Sequence, residues 1–272
     1  MKFLFWNIQK KPLTAQITEL ILESKCHLYA FAEASDETIE AVIEQLQSKY
    51  NTRCSLLPTP GCDKIKLIVL DPLSSLSHIS LLNQSKDFSL IKIDLPGLAL
   101  IVGFVHLPAK LHRTPEQSRR ACERLRDQIV EEEEIHGTDN SIVIGDFNVN
   151  PFEMPMISFT GMVATNGIAC SQRDTIICDG ESQRLFYNPM WTLYADHKER
   201  PGSHKYIRTG EDVVSWHFLD QVIMRPTLIN HFNFDALTLI KKTENYYLTN
   251  SRHIPDPSDH LPLICEFEFS AD

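Results

Sequence analysis

The segment Ile142-Val143-Ile144-Gly145-Asp146-Phe147-Asn148 places an aspartate and an asparagine directly after an apolar run. Its β-branched residues before Gly145 are typical of a buried strand. A lone carboxylate at the edge of a buried strand is costly unless it is paired or bound to a cation. The segment therefore predicts a strand that delivers Asp146 and Asn148 to a site at its end. As an alternative, both residues form an ordinary turn, because Asp and Asn side chains often bond their own backbone.

Other strand-like runs carry a polar residue at their edge in the same way. These residues are Asn7 after 3–6, Glu33 after 28–32, His106 after 100–105, Asp220 after 216–219, and the pair Asp259-His260 before 261–269. If these edges converge, the side chains form one site. Further strands are predicted at 65–70, 88–95, 98–105, 213–224 and 234–241, so strands outnumber helices and the sheets should be mixed or antiparallel.

Helical segments alternate with these strands. Apolar residues at helical spacing predict helices from about residue 17 and after Asp36. The strongest helix signal is Thr114 as N-cap, Pro115 in the first turn and Gln117 closing a capping box. The acidic run Glu131–Glu134 is interpreted as the solvated, fraying end of that helix, because carboxylates are unfavourable at a helix C-terminus. With no Ser-, Gly- or Pro-rich linker, residues 1–272 are predicted to form one domain.

Composition excludes several classes of protein. The chain has 272 residues, of which 43% are hydrophobic and 23% charged, so a disordered chain is excluded. No apolar run approaches the roughly 18 residues of a membrane-spanning helix, and we expect no signal peptide. Seven scattered cysteines indicate reduced thiols, hence an expected cytoplasmic location. A net charge of −10 disfavours binding of long duplexes through bulk electrostatics.

The residue types at the strand edges suit a metal-assisted reaction on a phosphate ester. Carboxylate oxygens are the ligands that Mg²⁺ or Mn²⁺ prefers, with water and phosphate oxygens in the remaining positions. Imidazoles can move a proton or hold a phosphate oxygen, and amides can donate to an oxyanion. A bound cation also reconciles an acidic protein with an anionic substrate.

The ordered set of motifs resembles the endonuclease/exonuclease/phosphatase superfamily. It comprises Asn7, Glu33, His106, Gly145-Asp146-Phe147-Asn148, Leu219-Asp220-Gln221 and Ser258-Asp259-His260, and it spans nearly the whole chain. The resemblance implies a deoxyribonuclease I-like α/β fold, a four-layer sandwich of two packed mixed β-sheets flanked by helices. It also implies Mg²⁺- or Mn²⁺-dependent hydrolysis of a phosphoester by a water that attacks in line.

The resemblance also implies a role for each residue. Glu33, with Asn7 beside it and Asp259 as a further partner, would hold the metal. Asp146 would orient or deprotonate the water, and Asn148 would hold the phosphate and that water. His260 would contact the phosphate as acid, base or donor, with Asp220 fixing its tautomer, and His106 would bind phosphate. The division of acid and base roles between Asp146 and His260 stays open.

Residues on the substrate side are harder to assign. Trp191 is a candidate for stacking on a base, although a large aromatic residue is more often part of a core. Arg113, with Lys110, Arg119 and Arg120, could hold a strand backbone beside His106, or form a solvated helix face. His204, Lys205 and Arg208 offer a similar choice. The histidines other than His106 and His260, His204 included, are by default surface or hydrogen-bonded residues.

Three functions are consistent with the sequence. The first is a nuclease that hydrolyses phosphodiester bonds in nucleic acid. The second is a phosphodiesterase or phosphatase acting on a phospholipid, an inositol phosphate or a small nucleotide, which the acidic charge keeps open. The third is a binding module that retains the fold without chemistry, although the retained carboxylates and the Asp259-His260 pair argue against it.

Overall fold

Two large β-sheets form the centre of the molecule. The structure is a computed structural model, and it describes residues 1–70, 78–110, 114–195, 202–206 and 214–269. In chain order the strands are β1 (Lys2–Asn7), β2 (Leu28–Ala32), β3 (Cys54–Leu57), β4 (Ile65–Leu70), β5 (His78–Ser85), β6 (Phe88–Leu95), β7 (Leu98–His106), β8 (Ser141–Asp146), β9 (Ala164–Thr165), β10 (Thr175–Cys178), β11 (Glu181–Arg184), β12 (Phe186–Tyr187), β13 (His204–Lys205), β14 (Trp216–His217), β15 (Asp220–Met224), β16 (Thr238–Leu239) and β17 (Leu263–Glu266). The helices are α1 (Thr14–Ser24), α2 (Asp36–Ser48), α3 (Pro115–His136), α4 (Met154–Ile157), α5 (Ile168–Ser171) and α6 (Trp191–Tyr194), with 3₁₀ turns at Pro226–His231 and Phe234–Ala236.

Both large sheets are mixed. The first has the order β16-β17-β1-β2-β4-β3, with β1 and β2 parallel and β17 antiparallel to β1. The second has the order β5-β6-β7-β8-β15-β12-β9, with β7 and β8 parallel and β15 antiparallel to β8. Two small hairpins, β10-β11 and β13-β14, accompany them. The predicted mixed pairing is confirmed.

The alternation of side chains along the strands builds four layers, because successive residues of a strand point to opposite faces. Phe3 and Phe5 of β1 face Val102 and Ile144 of the second sheet in a shared core. Leu4 and Trp6, on the opposite face of β1, pack with helices α1 and α2. On the outer face of the second sheet, Val143 packs with Leu125 and Ile129 of α3. The predicted sandwich of two sheets between helices is therefore observed.

The helices begin where the sequence indicates. Thr114 accepts a hydrogen bond from Gln117 N, and the Gln117 side chain accepts one from Thr114 N, which completes the predicted capping box. Ser35, one residue before the predicted start, caps α2 by accepting from Thr38 N. Among the described residues, no helix is both long and apolar enough to cross a membrane. All seven cysteines lie in described segments, and none of them forms a disulfide bond.

Three predicted strands differ from those observed. The run 213–224 gives two short strands, β14 and β15, that belong to different sheets, and its first residue lies outside the described residues. The run 234–241 begins as a 3₁₀ turn, because Asn233 accepts hydrogen bonds from Asp235 N and Ala236 N and so favours a turn over a strand. The final strand is confined to Leu263–Glu266, the stretch that pairs with β1.

The interpretation of Glu131–Glu134 as a solvated helix end is wrong. Helix α3 continues to His136 and ends at Gly137 in a left-handed conformation. Glu132 and Glu133 are buried, and both carboxylate oxygens of Glu133 accept hydrogen bonds from Arg225, at 2.7 and 2.9 Å. The acidic run thus provides the anion of a buried ion pair that joins α3 to the end of β15.

The direction of the strands explains why polar residues from distant segments meet. The parallel strands β1, β2, β7 and β8 end at one edge of the sandwich, at Asn7, Ala32 before Glu33, His106 and Asp146. The antiparallel strand β15 begins at that edge, since Asp220 pairs with Asp146 in register, and His260 precedes β17 there. Asp220 therefore opens a strand, whereas the sequence suggested that it follows one.

Candidate active site

Asp146 lies at the centre of the site, where the two sheets meet. Its Oδ2 accepts a hydrogen bond from Asn7 Nδ2 at 3.1 Å, so the ends of β1 and β8 are joined across the sandwich. Its Oδ1 accepts from the backbone N–H of Asn148 at 2.8 Å. Asp146 is only 1% exposed, and burial raises the pKa of its carboxyl, an effect that the charge of His260 opposes. A buried carboxylate with a raised pKa suits a proton acceptor.

Gly145 makes this position of Asp146 possible. Its φ is +146°, and a Cβ atom there would lie 2.1 Å from the carbonyl oxygen of Val105 on the neighbouring strand β7. Only glycine permits so close an approach of the two backbones. The strand pair therefore brings His106 and Asp146 into register as the last residues of β7 and β8.

Asn148 holds the loop that follows Asp146. Its backbone is left-handed, with φ +55°, a conformation that asparagine tolerates better than most residues. Its Nδ2 donates to the carbonyl of Leu107 at 2.7 Å, so the side chain is anchored beside the end of β7. Phe147, between the two polar residues, is buried in the core under α3. Asp146 and Asn148 thus form a turn with their own backbone, and this turn is compatible with a site at the end of β8. The phosphate contact of Asn148 stays a prediction.

Asp220 and His260 form a buried pair. His260 Nδ1 lies 2.7 Å from Asp220 Oδ2, and its Nε2 lies 3.9 Å from Asp146 Oδ2. Burial by itself would lower the pKa of His260, but the carboxylates of Asp220 and Asp146 outweigh it and raise the pKa to about 10. The pair matches the predicted arrangement in which Asp220 orients the imidazole, and it keeps His260 protonated at neutral pH.

We expect this pair to make the stability of the metal-free protein depend on pH. Since the folded-state pKa of His260 is raised from 6.5 to about 10, its contribution is complete below about pH 6.5 and is lost as the pH rises through about 10. The difference in free energy of unfolding between wild type and His260→Gln, measured by urea denaturation in EDTA, should shrink steadily across that window. A difference that stays constant with pH contradicts the assignment.

Glu33 and His106 form the other arm of the site. Glu33 follows β2 with a left-handed backbone, φ +53°, fixed by hydrogen bonds from its N–H to Lys64 O and from Lys10 N–H to its carbonyl. Its Oε1 lies 3.4 Å from His106 Nε2, which is itself 3.7 Å from Asp146 Oδ2. The structure thus brings the predicted metal ligand Glu33 next to the predicted phosphate ligand His106.

Asp259 lies beside His260 and contacts two residues that were not assigned to the site from the motifs. Its Oδ2 accepts a hydrogen bond from Gln9 Nε2 at 2.9 Å and lies 3.5 Å from His204 Nε2. The His204 ring is 4.7 Å from that of His260. Burial would raise the pKa of Asp259, but the hydrogen bond from His204 and the charge of His260 lower it overall. His204 therefore lies against the predicted site residues Asp259 and His260, and a role for it in the site stays a prediction.

The donor set fits a divalent cation. Among the described residues, Asp220 Oδ1 and Asp259 Oδ1 are buried oxygens without a hydrogen-bond partner. Asp146, Asp220 and His260 place one ligand atom each within 4.8 Å of one another, and so do His204, Asp259 and His260. Four carboxylates (Glu33, Asp146, Asp220 and Asp259) crowd one edge, and such a concentration of negative charge favours a bound cation.

Comparison with known proteins places the architecture. No protein-family model matches the chain, and no curated protein matches it by sequence. Solved structures do match. Truncated TDP2 from Caenorhabditis elegans aligns with a TM-score of 0.61 and 13% identity over 98% of this chain and 97% of that one. The human Nocturnin catalytic domain with bound sulfate aligns with a TM-score of 0.57 and 17% identity, over 99% of this chain and 94% of that one. The 3′-5′ exonuclease NExo from Neisseria meningitidis aligns with a TM-score of 0.54 and 13% identity, over 99% of this chain and 100% of that one.

The chain has the deoxyribonuclease I-like fold of these solved structures. The fold predicted from the ordered motifs is thereby confirmed. At identities of 13–17% these matches establish the architecture alone. The role of each residue at the edge of this deoxyribonuclease I-like sandwich must be argued from the residues themselves.

An aromatic cluster borders the edge of the deoxyribonuclease I-like sandwich. The ring of Trp191, which is half-buried, lies 6.4 Å from the ring of Phe152 and 6.0 Å from that of Tyr194. Tyr194 packs on Phe218, whose N–H donates to Asn150 Oδ1 two residues after Asn148. The cluster is thus tied to the loop that carries Asn148, while the stacking role of Trp191 stays a prediction.

Several basic residues were candidates for substrate binding, and those that the structure describes contact acidic or aromatic side chains. Lys110 contacts Glu153, and Arg119 and Arg120 both pair with Glu116 on helix α3. Lys205 lies over the ring of Trp216, at 5.5 Å. Arg113 and Arg208 lie outside the described residues. Arg120 lies on a solvated helix face, whereas Arg119 is half-buried and also donates to the carbonyl of Thr160 at 3.1 Å.

Two residues that contact Asp259 were not found from the motifs because their signal is tertiary. Gln9 lies two residues after Asn7 with φ +53°, and nothing in its sequence context indicates that it reaches Asp259. His204 enters through the β13-β14 hairpin and an isolated bridge to His260. The one available hint for His204 was its place in the long region between Asn148 and Asp220, where substrate-selecting loops are expected.

Proposed function

We propose that this protein is a Mg²⁺- or Mn²⁺-dependent phosphodiesterase that cleaves phosphodiester bonds in nucleic acid by in-line attack of an activated water. The main support is that Asp146 contacts Asn7 from one sheet and faces His260, which is paired with Asp220. A buried base next to a protonated, oriented imidazole suits the hydrolysis of a phosphate ester.

The proposed roles follow from the protonation states. Asp146, buried and supported by the N–H of Asn148, would orient a water and accept its proton. His260, held protonated by Asp220, would donate a hydrogen bond to a phosphoryl oxygen and stabilise the charge that develops there. His106, 3.7 Å from Asp146, and the Asn148 amide would complete the phosphate contacts.

Glu33, Asn7 and Asp259 are the residues we propose to hold the metal. Glu33 is partly exposed and near His106, whereas Asp259 brings an oxygen that has no hydrogen-bond partner among the described residues. A bound divalent cation would polarise the phosphate and neutralise its charge. With that charge compensated, an acidic protein can accept an anionic substrate.

Two observations favour nucleic acid as the substrate. Solved structures with this fold include a 3′-5′ exonuclease and the endonuclease domain of the telomere-specific non-LTR retrotransposon TRAS1. The cluster of Phe152, Trp191 and Tyr194 supplies half-buried and exposed aromatic surface, on which bases can stack. We propose that this cluster contacts a base next to the scissile phosphate.

A smaller phosphoester is the alternative substrate. Lys64 pairs with Asp87 at 2.8 Å, Lys66 with Asp36 at 2.6 Å, and Lys110 contacts Glu153, so these cations are already compensated. Such pairing weakens the case for a long anionic strand and favours a phospholipid, an inositol phosphate or a small nucleotide. A binding module without chemistry is the remaining alternative.

A metal-dependence assay tests the proposal. We expect hydrolysis of bis-p-nitrophenyl phosphate upon addition of Mg²⁺ or Mn²⁺, abolished by EDTA and restored by excess metal. Release of acid-soluble nucleotides from DNA or RNA, compared with phosphate release from inositol phosphates, separates the two substrate classes. Absence of turnover with each divalent metal and each substrate would leave the binding module as the correct interpretation.

A further inference from the structure

His204, Asp259 and His260 form a group of ligands with a different chemical character from the Glu33 arm. One ligand atom of each lies within 4.8 Å of the other two. His204 Nε2 is 3.5 Å from Asp259 Oδ2, and His260 Nε2 is 3.9 Å from Asp259 Oδ1. Zinc–ligand bonds of about 2.0–2.1 Å place tetrahedral ligands about 3.3 Å apart. Small side-chain adjustments therefore suffice to close the three residues around one ion.

The side chains of His260 and Asp259 and the backbone of His204 are already held by a supporting shell. His260 directs its Nδ1 to Asp220 at 2.7 Å, the carboxylate–histidine arrangement that orients metal-binding imidazoles in proteins. Gln9 Nε2 donates to Asp259 Oδ2 at 2.9 Å. The backbones of His204 and His260 form an antiparallel bridge, and the neighbouring hydrogen bond from Leu261 N to Ser203 O is 2.8 Å long. The ligands are thus preorganised by contacts independent of any ion.

This group contains polar atoms whose hydrogen-bonding capacity is not used within the described part of the protein. Among the described residues, Asp259 Oδ1 and His204 Nδ1 are buried and have no hydrogen-bond partner. The proposed reaction also gives His204 no task, although its ring is 4.7 Å from that of the reacting His260. Asp146 Oδ2, 3.9 Å from His260 Nε2, adds further negative charge. A cation among these groups would satisfy the carboxylate oxygen and the charge together.

We propose that His204, Asp259 and His260 bind a zinc-type transition-metal ion, and that this ion inhibits the enzyme. Two imidazoles and one carboxylate suit Zn²⁺ and similar divalent transition-metal ions, whereas Mg²⁺ prefers oxygen ligands. Three protein ligands leave a position open for water. Inhibition follows because the ion replaces the proton on His260 Nε2, which is released to solvent, and so takes the atom that faces the substrate in the proposed hydrolysis. The ion also occupies Asp259, which we propose as a ligand of the Mg²⁺ or Mn²⁺ ion. The inhibition rests on the proposed function, whereas the binding site does not.

The test measures metal binding directly, in full-length protein with Cys170→Ser and Cys178→Ser, since these two exposed thiols could also bind zinc. Zn²⁺ affinity is determined by competition with a chromophoric chelator, and Co²⁺ is used for its ligand-field absorption. His204→Asn removes one ligand. The matched control is His253→Asn, an exposed histidine whose φ of +59° asparagine tolerates. We expect one zinc ion per chain, with affinity at least tenfold weaker in His204→Asn and unchanged in His253→Asn.

A second variant guards against misfolding of His204→Asn. Gln9→Asn shortens an exposed side chain that contacts Asp259, while asparagine suits the φ of +53° at this position. Loss of a partner behind a ligand typically costs ten- to a hundredfold in metal affinity, so at least several-fold weakening is expected. Cobalt bands characteristic of imidazole ligands should appear in wild type and be lost in His204→Asn.

The outcomes separate the two proposals. Zinc affinity that is equal in wild type, His204→Asn and Gln9→Asn overturns the site, even if Mg²⁺-dependent hydrolysis is found. Zinc binding that requires His204 supports the site even if hydrolysis is absent, and then only the proposed function fails. Where both are present, the zinc concentration for half-inhibition should rise with the dissociation constant of each variant. Binding without inhibition overturns the regulatory part.

Discussion

Replacing Asp146 or His260 by alanine should lower kcat/KM for metal-dependent phosphodiester hydrolysis by at least a hundredfold. Each residue offers a preorganised charge in a buried site, and removal of one such group typically costs about 10²–10³ in rate. Asp146 is 1% and His260 6% exposed, so solvent screens neither charge well. Steady-state kinetics with bis-p-nitrophenyl phosphate and with a nucleic-acid substrate measure the effect.

The combined variant distinguishes a catalytic role from a general loss of structure. Asp146 and His260 face each other at 3.9 Å, so the double variant should be little worse than either single one, as expected for groups that act as a unit. His253→Asn serves as the control and should retain the wild-type rate. Circular dichroism and thermal unfolding establish that each variant is folded. A decrease of less than tenfold in both folded single variants would show that the assignment is wrong.

Replacing Arg225 by methionine should lower the free energy of unfolding by about 3–5 kcal/mol, the usual cost of leaving one member of a buried ion pair alone. Arg225 is fully buried, donates to both oxygens of Glu133, and lies 3.9 Å over the ring of Phe186. It also donates to the carbonyls of Arg184 and Leu185, which would lose their partner. Burial lowers the pKa of the guanidinium, an effect that Glu133 opposes. Urea denaturation measures the loss.

A double-mutant cycle isolates the pair. Arg225→Met combined with Glu133→Met removes both charges, so the double variant should be more stable than the sum of the single losses predicts. Arg120→Ala is the control on helix α3, which also carries Glu133, because the Arg120 side chain is 70% exposed and solvent screens its pair with Glu116, so the stability should change little. A cost below about 1 kcal/mol for Arg225→Met would contradict a stabilising role for the pair.

The sequence predicted well those elements whose signal is local. The capping box at Thr114 and the apolar periodicity of α1 and α2 gave helices at the observed places, because caps and period depend on residues a few positions apart. The strand predicted at 234–241 is not observed over its whole length, and here too the cause is a local interaction. Its apolar residues are compatible with a strand, but the Asn233 side chain bonds the backbone ahead of it and forms a turn.

The acidic run of α3 shows what a local pattern cannot reveal. Glu131 and Glu134 are exposed as the pattern indicates, whereas Glu133 between them is buried against Arg225. The two partners are separated by 92 positions, so no periodicity within the helix distinguishes Glu133 from its neighbours. His204 is a similar case, since its contact with Asp259 depends on a hairpin and a bridge between distant segments.

From the chain alone, the ordered polar residues at strand edges supplied the candidates Asn7, Glu33, Asp146, Asp220 and His260, and their resemblance to the endonuclease/exonuclease/phosphatase superfamily predicted the fold. The direction in which each strand runs places these residues at one edge of the sandwich, and that direction follows from the order of strands and helices along the chain. Only the tertiary structure decided which candidates touch, that Asp220 orients His260, and that Gln9 and His204 join Asp259. The physical reason is that hydrogen bonds and charge pairs depend on separations of a few ångströms between atoms, and sequence order does not fix those separations.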